Sequence, residues 1–346
     1  MPHESPLIID AMGSAALLPA AQLPPPARNG RAWLDRALAS GLTAMNVTMG
    51  IQGVAQGADD FRAYLHSLHG YFSYFALEPR LLHVRTTADI MRARREGRLG
   101  IIFGCQGLDL KIAGDPSLIL IMAKLGQRIV QLAYNERSAI GCGCLEPEDT
   151  GLTEFGRICI REIDAAGMIV DLAHAGARTA REAIEFAEGT PVITHANVRA
   201  LRDHPRNAPD DVLAALASRG GVIGITAYAP FCEKRAGERP NLDSVIDHIA
   251  YVADRWGIDH VGIGSDFFEG ESLIRFERVF RQRYPSIVGE YTIDTVYAEG
   301  FERVDDFAVL PAALRSRGFA ECEVAKVLGG NMLRVFAQAW RGPADM

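Results

Sequence analysis

The sequence predicts an α/β fold, a (β/α)8 TIM barrel with a C-terminal helical tail packed on its outside. Eight short apolar runs alternate with segments of helical periodicity, the order that produces a parallel sheet. One unit shows the alternation most plainly: Met168 to Leu172, a helical stretch from Arg178 to Glu188 with apolar Ala180, Ile184 and Ala187, then Pro191 to Thr194. Strand, helix and strand within ~25–30 residues form a right-handed parallel βαβ unit. No composition break divides residues 1–346, which read as one barrel domain whose tail begins near Ile274.

The elements follow in order. Leu7 to Asp10 opens as a strand, and Pro24-Pro25-Pro26 follows in an extended loop. A helix over Arg31 to Ser40 leads to a second strand from Gly41 to Val47. Asp59 to Phe75 carries apolar and aromatic residues at helical spacing, and Thr86 or Thr87 caps a helix running to Arg95. Gly100 to Gly104 and Arg128 to Leu132 are the third and fourth strands, with a helix from Leu118 to Leu125 between them. Tyr134 to Asp149 is an aperiodic loop. A helix from Thr153 to Ala166 stops at Gly167. Beyond the central unit come a helix at Asp210–Arg219, a strand at Gly221–Ile225, a long helix at Leu242–Trp256 and an eighth strand at His260–Asp266. The tail has helices near Asp305–Arg315 and Glu321–Val327, an apolar helix after Gly330, and no strand of its own.

Composition narrows the function classes. A chain of 346 residues, 48% hydrophobic, can bury one large core. Its formal charge of −7, without a basic cluster, argues against a nucleic-acid or anionic-membrane partner. No apolar run nears the ~20 residues of a membrane span, and Leu7-Ile8-Ile9 has neither the length nor the basic flank of a signal peptide. Cytoplasmic residence is the default expectation. Six cysteines scattered along a chain this long do not read as a disulfide framework.

The chemistry concentrates at two strand ends. His174 lies just past the carboxyl end of its strand, and His195 closes the next. Parallel strands deliver both to the same rim, where barrels of this kind keep their chemistry. Neutral imidazole is a common zinc ligand, and a catalytic zinc wants about three protein ligands and an open position. Asp266 is the third candidate, sharing a strand face with His260, Gly262 and Gly264. A helix N-cap is its structural alternative. Tyr134 and Asn135 follow a strand end and are expected to line the pocket with Gln106.

Six stretches resemble the renal (membrane) dipeptidases and their bacterial relatives within the amidohydrolase superfamily. They are G-L-T-E-F-G-R at 151–157, M-I-V-D-L-A-H at 168–174, P-V-I-T-H at 191–195, R-N-A-P-D-D-V-L at 206–213, H-V-G-I-G-S-D at 260–266 and G-G-N-M-L-R-V-F at 329–336. The resemblance implies that His174 and His195 are ligands of the second metal position. It implies that Asp266 handles the proton and that Arg206 binds the substrate's carboxylate, which suits a bidentate guanidinium. A loop salt bridge is the structural alternative for Arg206. Relatives of this type are often dimers, so a homodimer is an expectation as well.

The departures from the family pattern carry as much weight. The family opens with Asp-Gly-His-Asn-Asp, whose His and second Asp hold the first metal; here the stretch is Asp10-Ala11-Met12-Gly13-Ser14. The family's bridging glutamate becomes Gln106, and a histidine after the fourth strand becomes Tyr134. Two dications ~3.5–4 Å apart repel by roughly 20 kcal/mol at an effective dielectric of about 20. Replacing Asp by Ser14 and Glu by Gln106 removes two of the charges that offset this repulsion, and thioether and hydroxyl are poor ligands for such ions. A dinuclear centre is therefore not expected. A single Zn on His174 and His195, joined by Asp266 or Gln106 and water, is the expectation, with an empty site as its alternative.

Cys105 and the Cys142-Gly143-Cys144 pair are weaker metal candidates. His66, His69, His83, His204 and His248 read as surface residues. The leading function is hydrolysis of a small amide or dipeptide-like substrate with a free carboxylate. A metal-free barrel enzyme acting on a small acid, and a non-catalytic ligand-binding homologue, are the competing readings.

Overall fold

The computed structural model describes residues 6–14, 28–50, 58–235, 237–269 and 273–340. Pro24-Pro25-Pro26 lies outside them. Among the described residues nine parallel strands run in chain order: β1 (Ile8–Asp10), β2 (Leu42–Thr48), β3 (Leu81–Val84), β4 (Leu99–Cys105), β5 (Gln127–Gln131), β6 (Ile169–Asp171), β7 (Val192–Ala196), β8 (Val222–Ile225) and β9 (Val261–Ile263). Eight of them close a barrel in the order β2-β1-β9-β8-β7-β6-β5-β4, and β4 returns to β2 through five pairs from Ala44↔Gly100 to Thr48↔Gly104. The TIM barrel expectation holds. Among the described strands the sequence reading missed only β3, which pairs with β4 beside the barrel wall. Its four residues precede the Thr86 cap so closely that they read as the approach to a helix.

Helix boundaries follow local chemistry. Thr86 caps Thr87–Glu96 in a reciprocal capping box with Asp89. Thr153 accepts from the Gly156 amide to start Glu154–Ala165. Gly167 then takes φ 65°, the left-handed conformation that glycine adopts without penalty, and turns the chain into β6.

The core has two parts. A large cluster lies between the strands' outward faces and the helices, with Trp33, Leu34, Phe103, Ile160 and Ile249 all buried. A smaller one fills the amino end of the barrel, where Ile9, Ala44, Ile102, Ile129, Ile169, Val192 and Val222 meet Met332, Val335 and Phe336. The tail packs on the outside of the barrel, as expected. Its last helix, Asn331–Ala339, covers the barrel floor, because inward apolar side chains of parallel strands need an apolar cover at that end. The earlier part of the tail reaches the opposite end: Tyr297 donates to the Asp266 carbonyl at 2.7 Å, and Tyr284 packs edge-on to Tyr134.

Phe336 is fully buried and stacks on Trp340 with ring centroids 4.2 Å apart. Phe336→Ala is expected to cost about 3–5 kcal/mol, the transfer and cavity cost of a buried aromatic. Urea unfolding of the two proteins measures it.

Candidate active site

The site sits at the carboxyl ends of the barrel strands. A bulge in β7 prepares it: Ile193 pairs with Ile223 and Ala196 with Ile225, so β7 carries one extra residue over that step. His195 stands within this irregularity. His174 follows β6 at φ 66° and Asp266 follows β9 at φ 59°. Among the described residues only Ala113 joins them as a non-glycine with positive φ. Strain of this kind collects at functional sites, and here it aims two of the three predicted side chains.

His174 and His195 meet as expected. Their Nε2 atoms approach to 2.9 Å, and their Nδ1 atoms point away, His174 to Asn135 Oδ1 at 2.6 Å and His195 to Thr194 Oγ1 at 2.8 Å. Tyr134 stacks on the His174 ring at 4.1 Å. Asn135, expected at the pocket wall, is instead buried behind His174 and engaged by it. Gln106 Nε2 lies 3.5 Å from His195 Nε2 and 3.7 Å from Met12 Sδ, and Thr48 Oγ1 sits 3.6 Å from the same sulfur. The neutral residues at the departed ligand positions thus cluster beside the imidazoles, apart from Ser14, which is exposed on the rim.

Burial first, and the Arg206 charge second, hold both imidazoles well below the usual histidine range. Neutral imidazoles with converging Nε2 atoms and tethered Nδ1 atoms suit a divalent cation. Among the described residues no third His, Cys, Asp or Glu joins them. Asp266 in particular does not form a three-residue ligand group with them. The cysteines stand apart: Cys142 Sγ faces Glu148 O and Thr150, Cys144 Sγ points to Asn135 Oδ1, and burial pushes the Cys105 thiol up to about 12.

Arg206 is buried under the same rim. Its Nη2 donates to the His195 carbonyl at 3.1 Å, its guanidinium lies over the Phe231 ring, and its Nε has no hydrogen-bond partner among the described residues. His204 supports the loop, accepting from the Arg206 amide and contacting Ser286 O at 3.0 Å. That placement corrects the surface reading of His204. His83 and His248 are likewise withdrawn from solvent and held to about 4 by burial, His83 between Phe75 and Phe103 and His248 accepting from the Val198 amide. His66 and His69 are exposed, as expected.

Asp266 is half-buried, and loss of solvent pushes its carboxyl up to about 7 against the pull of Arg206. Asp10 anchors the turn before it, accepting from the Ser265 amide at 2.8 Å and the Ser265 hydroxyl at 2.6 Å. Tyr228 lies close enough for the Asp266 charge to help burial raise its hydroxyl. Sequence reasoning passed over Asp10, Asp171, Thr194 and Tyr228. An aspartate inside an otherwise apolar strand was the available signal for the first two.

Comparison with known proteins decides the family. Residues 27–291 match the family model "Membrane dipeptidase (Peptidase family M19)". The chain belongs to this family. Among solved structures, an amidohydrolase from Pseudomonas aeruginosa shares 30% identity and a TM-score of 0.85 across 98% of both chains. A metallo peptidase from Rhodobacter sphaeroides, liganded with a phosphinate mimic of the dipeptide L-Ala-D-Ala, has a TM-score of 0.81 over 96% of this chain and 99% of its own; at 20% identity it speaks to the fold. The dipeptidase verJ of Clonostachys rogersoniana is 32% identical over 259 residues, 74% of this chain and 59% of that protein. With 63% of the Claviceps purpurea dipeptidase tcpJ matched, the chain spans about three fifths of the length of these relatives.

A raised carboxyl pKa costs stability once the group ionises. Between the ordinary aspartate value and about 7 the folded chain holds the Asp266 proton that the unfolded chain has lost, so stability falls as pH rises through that window. Asp266→Asn tolerates the same backbone conformation. It should melt above the wild type at pH 8, with the difference closing toward pH 4, as thermal scans across that range would show.

Proposed function

We propose that this member of the M19 family hydrolyses a small amide or dipeptide-like substrate bearing a free carboxylate, with at most one zinc ion held by His174 and His195. The observation that carries the reading is the convergence of three unlike groups on one rim. These are the paired imidazoles, a buried guanidinium with an unpartnered N–H, and a carboxyl raised to about 7. The relatives named as dipeptidases support the substrate class.

Arg206 would bind the substrate carboxylate through its fork of N–H groups, gaining a charge partner in a site where solvent is excluded. Tyr134 and Gln106 would border the scissile group, Tyr134 by its stacked ring and Gln106 by its carboxamide. A zinc ion bound there supplies Lewis acidity toward the carbonyl and the attacking water. Asp266 would take the proton of that water as the oxygen–carbon bond forms, and return it to the leaving nitrogen as the carbon–nitrogen bond breaks. A base near pH 7 fits that double task. The absence of a third His, Cys, Asp or Glu beside the imidazoles, among the described residues, favours a second reading: a metal-free barrel enzyme or a ligand-binding homologue.

Metal analysis with turnover of a dipeptide panel, with and without added Zn²⁺, tests the proposal. His195→Ala should lose both metal uptake and activity; activity persisting in metal-free protein sinks the zinc reading. Arg206→Ala should raise KM for free-carboxylate substrates at least tenfold more than for their amides, and equal effects would remove the anchor role. The profile of kcat/KM should climb to a plateau as Asp266 ionises near pH 7 and vanish in Asp266→Asn.

A further inference from the structure

We propose that Asp171 and Thr194 are positioning residues that lock His195 in its Nδ1–H tautomer, leaving two bare Nε2 acceptors face to face as a seat for a cation. The inference deepens the proposed metal-assisted hydrolysis and rests on that reading for its consequence.

Proton counting makes the case. The Asp171 carboxylate lies on the inward side of β6 and is buried. Its Oδ1 accepts the amides of Ala173 at 3.0 Å and Thr194 at 2.9 Å, and its Oδ2 lies 2.6 Å from the Thr194 hydroxyl. With Oδ1 taken by two amides, Oδ2 accepts from the Thr194 hydroxyl. A threonine hydroxyl has one proton to give. Once it goes to Asp171, the oxygen can only accept from the second neighbour, His195 Nδ1 at 2.8 Å. His195 therefore carries its proton on Nδ1, and Nε2 presents a lone pair.

His174 reaches the same state by another route. Its Nδ1 lies 2.6 Å from Asn135 Oδ1, and the Cys144 thiol points at the same oxygen. A carboxamide oxygen can only accept, so with Oδ1 turned to the ring His174 is also protonated at Nδ1. The Nε2 atoms then stand 2.9 Å apart with no hydrogen between them. Such a contact repels until a cation sits against both lone pairs. If either ring changed tautomer, the pair would close on itself with an ordinary N–H···N bond. Asp171, Thr194 and Asn135 hold that closure off.

The full-length chain, metal-free and labelled with 15N at histidine, is the sample. Imidazole spectra at pH 7.5 should show Nδ1–H for both rings in the wild type. Thr194→Val, similar in shape but without the acceptor, should move His195 to Nε2–H with a hydrogen bond to His174. Thr194→Ser should restore the wild-type tautomer. Zinc affinity, read by competition with a chromophoric chelator, should fall about 10–100-fold in Thr194→Val and recover in Thr194→Ser. Asp171→Asn, whose amide N–H turns the hydroxyl toward Nδ1, gives the same switch should Thr194→Val not fold. A wild-type ring already protonated at Nε2, or an unchanged His195 tautomer in folded Thr194→Val and Asp171→Asn, overturns the proposal. Failure of the wild type to take up zinc would instead overturn the zinc part of the proposed function, with the tautomer spectra still deciding this one.

Discussion

The close approach of strand backbones around Thr194 is the constraint on which the mouth of the barrel depends. A methyl group placed on Gly264 would meet the Thr194 carbonyl at 1.9 Å, and one on Gly224 would meet it at 2.1 Å. Neither carbonyl nor strand has anywhere to move, so these two positions exclude every residue with a Cβ. Because β8 and β9 close in on β7 this tightly, the ends of the three strands lie within side-chain reach. His195 and Arg206, both from the β7 unit, then share one space with Asp266, which follows β9.

Above that constraint, the mouth is organised by buried carboxylates that do not face the pocket. Asp171 grips Thr194, the residue before His195, through its hydroxyl and amide. Asp10 grips Ser265, the residue before Asp266, in the same two ways. In each case a carboxylate with its lone pairs committed holds the residue that precedes a candidate site side chain. Burial raises both carboxyls, Asp10 to about 7, and the hydrogen bonds oppose it. Each aspartate fixes a hydroxyl: that of Thr194 then contacts His195 Nδ1, and that of Ser265 accepts from the Phe267 amide. The left-handed backbone at Asp266 is held beside the same anchor, with the Asp266 amide donating to the Met12 carbonyl at 2.8 Å.

The charge balance of the mouth also has a physical logic. One guanidinium, one titrating carboxyl and two neutral imidazoles leave little fixed negative charge beside the histidines. Met12 and Gln106, in contact with each other and near His195, contribute polarisability and a carboxamide in place of anions. On the proposed reading such a pocket would hold one added cation better than two, since no carboxylate would stand between the ions to offset their repulsion.

The amino-acid sequence determined the strand and helix alternation, the rim on which the histidines emerge, and the residues from which the site is drawn. Those are local properties: apolar runs of strand length, 3.6-residue periodicity, and capping signals such as Thr86 and Thr153 that act within a turn. Tertiary structure alone decided the rest. That Asn135 stands behind His174, that the final helix covers the barrel floor, and that Asp171 reaches His195 through Thr194 all depend on which strands lie side by side. Residues 23 positions apart meet through a hydrogen bond whose existence no local pattern encodes. The proton on His195 is set by that long-range contact, which is why the chemistry of the pair was legible in residue type but not in tautomer.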